Sequence, residues 1–288
     1  MNVKNYLIIG ASSNIAKKYI SLIGKQGNNF YGVSSKTNMG EKKHLKKIIN
    51  YDEINQYSKI KFTNILIIAS RNLRQGGTLD DFLYVNNLIL NVLKSINYSE
   101  DNKPKFTFLS SYSVYDKNSS YIDDDTILMP SDYYGESKVL LEQSLYDLSK
   151  VYNGNLLVCR LPVFLYNGVS ERNDNFLAKL SLAIVAKSSF TLANPDACLG
   201  AVFDVKSLVK LDKALVSGIK IINCASTPDI TFFEIGQLAS ELGLKKVHWK
   251  KTDRTSVRVC LKSLNQLLGF KPSAKEIIES WMVNECKF

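Results

Sequence analysis

The sequence predicts an α/β fold, a doubly wound parallel sheet followed by a smaller, trimmed C-terminal lobe. Three observations predict it. Apolar, β-branched runs at 3–9, 29–33, 64–69, 106–109, 156–160 and 219–223 alternate with stretches of helical spacing, as in a sheet whose strands are buried on both faces. The first run ends in Gly10-Ala11-Ser12-Ser13-Asn14-Ile15-Ala16 and passes into a helix to about residue 25. The 106–109 run ends in Ser110-Ser111, and a helix opening on Tyr133-Tyr134-Gly135-Glu136-Ser137-Lys138 follows it.

Strand, glycine turn and helix in that order make a dinucleotide-binding opening, with amides at the helix start facing a pyrophosphate, so the first domain reads as Rossmann-like. Gly10, Ser12, Ser13, Asn14 and Ile15 are its candidate binding positions. Ser13 carries a Cβ where the backbone would approach the phosphates, and Asn14 beside it tolerates positive φ. The second strand leads into Ser34-Ser35-Lys36, with no carboxylate before Glu41. An enzyme using NAD ordinarily has an acid there for the ribose 2′-hydroxyl. Hydroxyls and a lysine suit a 2′-phosphate instead, so NADP(H) is the expected cofactor and NAD(H) the alternative. Lys42, Lys43, Lys46 and Lys47 predict a lysine-rich helix with a solvated face, and 47–50 a short strand. Val85-Asn86 is expected to open a helix with apolar positions at 85, 88, 89, 92, 93 and 96. Asn86 is a polar residue on that mostly apolar helix, in a supporting or a capping role.

Tyr134 and Lys138 are four apart and share one face of a helix. An ammonium beside a phenol stabilises the phenolate, so such a tyrosine can pass a proton to a carbonyl or take one from an alcohol near neutral pH. A serine at a strand end can hold the same oxygen. These residues, with Pro130 four before the tyrosine and Ser113-Val114-Tyr115 after the serines, resemble the short-chain dehydrogenase/reductase superfamily in its extended, nucleotide-sugar-modifying branch. The resemblance implies that Ser111, Tyr134 and Lys138 are catalytic, with Lys138 also holding the nicotinamide ribose. It implies cofactor contacts from Ala69, Ser70 and Asn86, and from the backbone near Pro162 and Val163. By the same resemblance Asp52 is either the acid beside the adenine or a turn aspartate, and Arg160 is structural.

Further along, 174–187 is expected to be a helix walling the sugar-nucleotide site, and Thr231-Phe232-Phe233-Glu234 is a capping box that starts another helix. Leu268-Gly269-Phe270-Lys271-Pro272 resembles the family's closing signature before a terminal helix. The expected division is 1–168 with 200–225 as the dinucleotide-binding domain, and 169–199 with 226–288 as the substrate lobe. Substrate candidates are Ser111, Ser113, Asn175, Arg254 and Arg258; the two arginines either grip the substrate pyrophosphate or are surface residues.

The net charge of +10 suits phosphate-bearing ligands, but the lysines are spread along the chain with no arginine-rich stretch, which argues against nucleic acid. Five cysteines without a CxxC pair read as reduced, buried thiols, and neither of the two histidines has metal-ligand spacing, so no metal is expected. No apolar run is long enough for a membrane span and the N-terminus runs straight into a strand, so a cytoplasmic protein is expected, with a homodimer as its assembly. The position after Ser111 is Tyr112-Ser113, where the resemblance would put an acid pair for dehydration or a cysteine for C3/C5 epimerisation. A 4-epimerase needs no extra residue there, but the expected 2′-phosphate preference and the loosened glycine turn point to an exchanging NADPH, so NADPH-dependent reduction of a nucleotide-diphosphate-linked 4-keto, often 6-deoxy, sugar is the leading expectation. A nucleotide-sugar 4-epimerase is second and a non-catalytic NADP-binding regulator third.

Overall fold

Buried β-branched runs became strands and amphipathic runs became helices over most of the chain. The computed structural model describes residues 3–24, 27–35, 45–69, 76–96, 98, 103–165, 176–199, 201–251 and 257–286. In chain order the strands are β1 (Asn5–Ile9), β2 (Asn29–Val33), β3 (Leu45–Ile49), β4 (Asn64–Ile67), β5 (Lys105–Ser111), β6 (Tyr121–Ile122), β7 (Asn155–Leu161), β8 (Val163–Leu165), β9 (Ser189–Leu192), β10 (Val202–Asp204), β11 (Ile219–Asn223), β12 (Lys246–Trp249) and β13 (Arg258–Val259). The helices are α1 (Asn14–Ile23), α2 (Leu79–Ser95), α3 (Tyr133–Val151), α4 (Phe176–Val185), α5 (Val205–Ala214), α6 (Phe232–Glu241), α7 (Lys262–Leu268) and α8 (Ala274–Cys286).

The chain forms two units: Met1–Asn118, Asp125–Arg160 and Val209–Ile222, and then Ser119–Asp124, Leu161–Leu208 and Asn223–Phe288. The first is built on a seven-stranded sheet in the order β11-β7-β5-β4-β1-β2-β3. Neighbours β1–β2, β1–β4, β2–β3 and β4–β5 run parallel. The strand order reverses at β1, the topological switch point of a doubly wound sheet. Alternate residues along each strand face opposite layers. Leu7, Ile9, Ile65, Ile67, Phe106 and Phe108 join Ile89 and Val92 of α2 and Leu141 and Leu145 of α3 in one core. On the opposite layer α1 buries Ala16, Tyr19, Ile20 and Ile23, and its Tyr19 hydroxyl donates to Asp212 of α5 at 2.7 Å.

The second unit has its own core, in which Leu177, Leu180 and Ile184 of α4 meet Ile235 and Ala239 of α6 and Ile278, Trp281 and Met282 of α8. Helix α6 starts at the expected capping box: Glu234 N–H donates to Thr231 Oγ1 at 3.1 Å, and Thr231 N–H to the Glu234 carboxylate at 2.8 Å. Gly269 ends α7 at φ +72, a left-handed conformation that glycine adopts without strain.

Three local expectations are corrected. The short strand expected at 47–50 is β3, which starts earlier, so Lys46 and Lys47 lie on it and not on a helix, because Leu45, Ile48 and Ile49 pair with β2; Lys42 and Lys43 lie outside the described residues. β3 is an edge strand, and exposed lysines there discourage pairing with another chain. Helix α2 starts at Leu79, well before Asn86, because Thr78 N–H donates to Asp81 at 2.9 Å in an N-terminal cap. Asn86 is therefore mid-helix and caps nothing. All five cysteines are outside any disulfide, as expected, but only Cys159 and Cys224 are buried.

Candidate active site

The glycine turn follows β1. Gly10 has φ +93, and a Cβ there would lie 2.6 Å from the Ala69 backbone nitrogen, so both conformation and space demand glycine. Its N–H and that of Ala11 are held by the Val33 carbonyl at 2.9 and 3.2 Å, and Ala69 N–H by the Ile9 carbonyl at 3.0 Å. Gly10, Ser34 and Ala69 thus stand just beyond the carboxyl ends of β1, β2 and β4, the edge at which doubly wound sheets take ligands. Ser13 is the N-cap of α1, extended at φ −71 and ψ 151, with its Oγ accepting from Ala16 N–H at 3.1 Å. Its negative φ removes any need for glycine. Asn14 is the first residue of α1, and among the described residues the non-glycine positions with positive φ are Asn153 and Lys187, so the expected use of Asn14 as a positive-φ residue is overturned. The amides of Ser12, Asn14 and Ile15 have no partner among the described residues, and a diphosphate can take them.

Ser34 is buried at 2% exposure with its N–H on the Ile49 carbonyl, whereas Ser35 is exposed. Asp52 is exposed on a short 3-10 helix, Tyr51–Tyr57. Lys36, Ser70, Asn175 and Arg254 lie outside the described residues. Pro162 and Val163 follow β7, and Arg258 is exposed on β13; all three belong to the second unit.

Ser111 ends β5 and caps the 3-10 turn Tyr112–Val114: its Oγ accepts from Ser113 N–H at 3.1 Å and lies 3.2 Å from Ser113 Oγ. Helix α3 is capped by Asp132, which accepts from Gly135 N–H at 2.7 Å. A Cβ on Gly135 would stand 2.0 Å from the Ser113 carbonyl oxygen. The absence of a side chain at that position therefore sets how closely the serine turn approaches the tyrosine's helix. Tyr134 is half-buried, its ring edge-on to Phe82 at 6.1 Å. One turn on, Lys138 is 3% exposed. Its Nζ donates to the Leu109 carbonyl at 3.1 Å, 4.7 Å from the Phe108 ring centre and 5.5 Å from that of Tyr134.

Burial lowers the Lys138 pKa to about 8, against a smaller upward pull from Glu142. The lysine is thus an ammonium at neutral pH, at a cost to the fold of about 3 kcal/mol at ~1.4 kcal/mol per pKa unit. The unfolded chain binds the extra proton, so this cost is full below pH 8 and fades as the pH rises toward 10.5. Lys138→Met is expected to lose turnover yet raise the melting temperature at pH 7, the gain shrinking by pH 10; the orphaned Leu109 carbonyl offsets roughly 1 kcal/mol of it. A variant that melts lower than wild type at pH 7, or whose difference from wild type is independent of pH, would contradict this.

Asn86, 8% exposed, donates its side-chain amide to the Ser137 carbonyl at 2.8 Å, and Ser137 Oγ donates to the Tyr134 carbonyl at 2.8 Å. Asn86 thus braces the backbone between Tyr134 and Lys138. Sequence reasoning missed Glu142. Its carboxylate, 5% exposed, pairs with Arg160 Nη2 at 2.7 Å and accepts from Ser110 Oγ, while Arg160 Nη1 donates to Tyr115 Oη at 2.8 Å. The available signal was an i, i+4 acid following Lys138, which reads equally well as a solvated face. No group of metal-binding side chains occurs among the described residues, and no described helix is long and apolar enough to cross a membrane.

No curated protein matches the chain by sequence. Solved structures match its fold over nearly its whole length. UDP-N-acetylglucosamine 4-epimerase from Bacillus cereus is 16% identical with a TM-score of 0.76, covering 97% of this chain and 96% of that one. UDP-glucose 4-epimerase from Thermotoga maritima, solved with UDP-glucose, is 15% identical at 0.75, covering 97% and 98%. UDP-glucuronic acid 4-epimerase from Bacillus cereus, in complex with NAD, is 14% identical at 0.75, covering 98% and 97%. The model of the NAD-dependent epimerase/dehydratase family matches residues 6–195, well over half of the chain. With its glycine turn at the sheet's switch point and Tyr134 and Lys138 on one face of α3, the chain belongs to the NAD-dependent epimerase/dehydratase family, enzymes of the extended short-chain dehydrogenase/reductase type.

Proposed function

We propose that the protein reduces a nucleotide-linked 4-keto sugar, of the 6-deoxy kind, with NADPH. The observation that carries this reading is the end of β2, where buried Ser34 and exposed Ser35 stand in place of a carboxylate. The glycine turn fits a dinucleotide, since Gly10 leaves no room for a Cβ and three amides at the start of α1 await an anion. Gly10, Ser12, Ser13, Asn14 and Ile15 would hold the pyrophosphate, and Ser34, Ser35 and Lys36 the 2′-phosphate. Asp52 would meet the adenine, Ala69, Ser70, Pro162 and Val163 would line the cofactor, and Asn175, Arg254 and Arg258 would meet the substrate. The bound nicotinamide supplies the hydride. Tyr134 donates the proton to the developing alkoxide, Ser111 hydrogen-bonds the same oxygen, and the Lys138 ammonium favours the negative charge left on the phenol. Ser113, a hydroxyl beside Ser111, adds a contact to the substrate but no acid for dehydration.

A second reading, a nucleotide-sugar 4-epimerase that keeps its NAD bound, is favoured by the three fold matches above, all of which are named as UDP-sugar 4-epimerases. Cofactor choice separates the two. NADPH is expected to exceed NADH in kcat/KM across a set of 4-keto nucleotide sugars, and Ser35→Asp with Lys36→Ala to reverse the order. Charge-assisted hydrogen bonds worth roughly 1.5–3 kcal/mol each make that a ten- to hundredfold effect, weakening with salt. The introduced carboxylate belongs at exposed Ser35, since buried Ser34 has no room for a solvated charge. Protein that purifies with NAD locked in place, or that uses the two cofactors equally, would move the assignment to the epimerase.

A further inference from the structure

The carboxyl edge of the seven-stranded sheet carries the candidate active site; the amino edge of the same sheet, within the first unit, carries a separate concavity of about 730 Å³. Its floor is polar where a parallel sheet is ordinarily apolar. Tyr6, Asn64 and Lys105 are register partners on β1, β4 and β5. They form a single row across three central strands, facing the layer of α1 and α5. Tyr6 is 5% exposed and stacked on Phe30 at 5.1 Å, and its hydroxyl has no hydrogen-bond partner among the described residues. Asn64 is 7% exposed; its carbonyl oxygen accepts from Thr63 Oγ1 at 3.0 Å, and its NH₂ has no such partner. Asn155, which also lines the cavity, repeats the pattern: its oxygen takes Gly218 N–H at 2.6 Å and its NH₂ is unpaired. None of these three donors is sealed from solvent, and all three line one space, where water or a ligand takes them.

Among the described residues the charge there is one-sided. Asp212 is the acid lining the cavity, and it is already engaged by Lys105 at 3.0 Å, by Tyr19 at 2.7 Å and by Thr107. Lys4, Lys103 and Lys213 line the same space with no acidic partner among the described residues. Solvent-accessible donors on the floor and, among the described residues, ammoniums without an acidic partner on the rim are the complement of phosphoryl oxygens.

We propose that this amino-edge cavity binds a small phosphate-bearing anion, its oxygens taken by the Tyr6 hydroxyl and the Asn64 and Asn155 amides and its charge by Lys4, Lys103 and Lys213. The site is independent of the catalytic reading, since it shares no residue with it. The test uses the full chain carrying ¹³Cζ-labelled tyrosine, with the Tyr6 signal identified by its loss in Tyr6→Phe, titrated with inorganic pyrophosphate. The expected result is a saturable shift of the Tyr6 signal with a Kd below about 1 mM, and at least roughly tenfold weaker binding in Lys103→Glu/Lys213→Glu. The readout is local to Tyr6, so pyrophosphate bound at the Gly10 turn does not mimic it. Three results would overturn the proposal: no shift of the Tyr6 signal, an equal shift from sodium chloride at matched ionic strength, or unchanged affinity in the double lysine variant.

Discussion

Tyr134→Phe is expected to lower kcat by ~10²–10⁴-fold while leaving NADPH affinity within a few-fold of wild type. The change removes one hydroxyl and keeps the ring, so the edge contact with Phe82 at 6.1 Å survives and the fold is not disturbed. What is lost is the group proposed to move the proton, in the reductase and the epimerase readings alike. The pH profile supplies a second readout. Lys138 gives up its proton near pH 8, so turnover by the wild type should decline as the pH rises through that value, whereas the residual activity of the phenylalanine variant should not follow that limb. Turnover near the wild-type level in Tyr134→Phe would remove this tyrosine from the chemistry, whatever the substrate.

Arg160→Met is expected to be the most destabilising single change in the first unit. The guanidinium holds Glu142 through Nη2 at 2.7 Å and Nε at 3.2 Å and donates to Tyr115 at 2.8 Å, all at 6% exposure or less. Removing it leaves a carboxylate in the interior with Ser110 as its remaining donor. Breaking a buried pair from one side costs about 3–5 kcal/mol, which for a chain of this size is a fall of roughly 6–20 °C in the first melting transition. Arg160→Met with Glu142→Leu should recover a large part of the loss, because the cost lies in the stranded charge more than in the missing attraction. A single variant that melts within about 2 °C of wild type would mean that water reaches Glu142 and that the pair does not lock α3 to β7.

The two predictions differ in how far the sequence led to them. Tyr134 and Lys138 were legible because helical periodicity alone puts positions four apart on one face, and that relation survives whatever the helix packs against. The strands were legible for a similar reason: β2 and β11 begin and end where their apolar runs do. The capping box at Thr231 is likewise a purely local device. The errors came where a distant partner decides the outcome. Lys46 and Lys47 have helical composition, but pairing of Leu45–Ile49 with β2 makes their segment an edge strand. Asn14 could be weighed for positive φ only until Ser13 took the N-cap and placed it in α1.

Tertiary structure alone decided which polar residues went inside. Glu142 and Arg160 are separated along the chain by most of a helix and a strand, and nothing local marks either as the other's partner. Asn86 and Ser137 meet because α2 and α3 lie side by side over one sheet face. Tyr6, Asn64 and Lys105 read separately as unremarkable residues at or next to the start of three strands, and become a polar row only once register aligns them. The sequence by itself determined the period of each segment and the chemistry carried on each face, because both depend on neighbours along the chain. Register, burial and the pairing of charges were decided by the folded structure, because they depend on contacts between segments whose meeting no local pattern specifies.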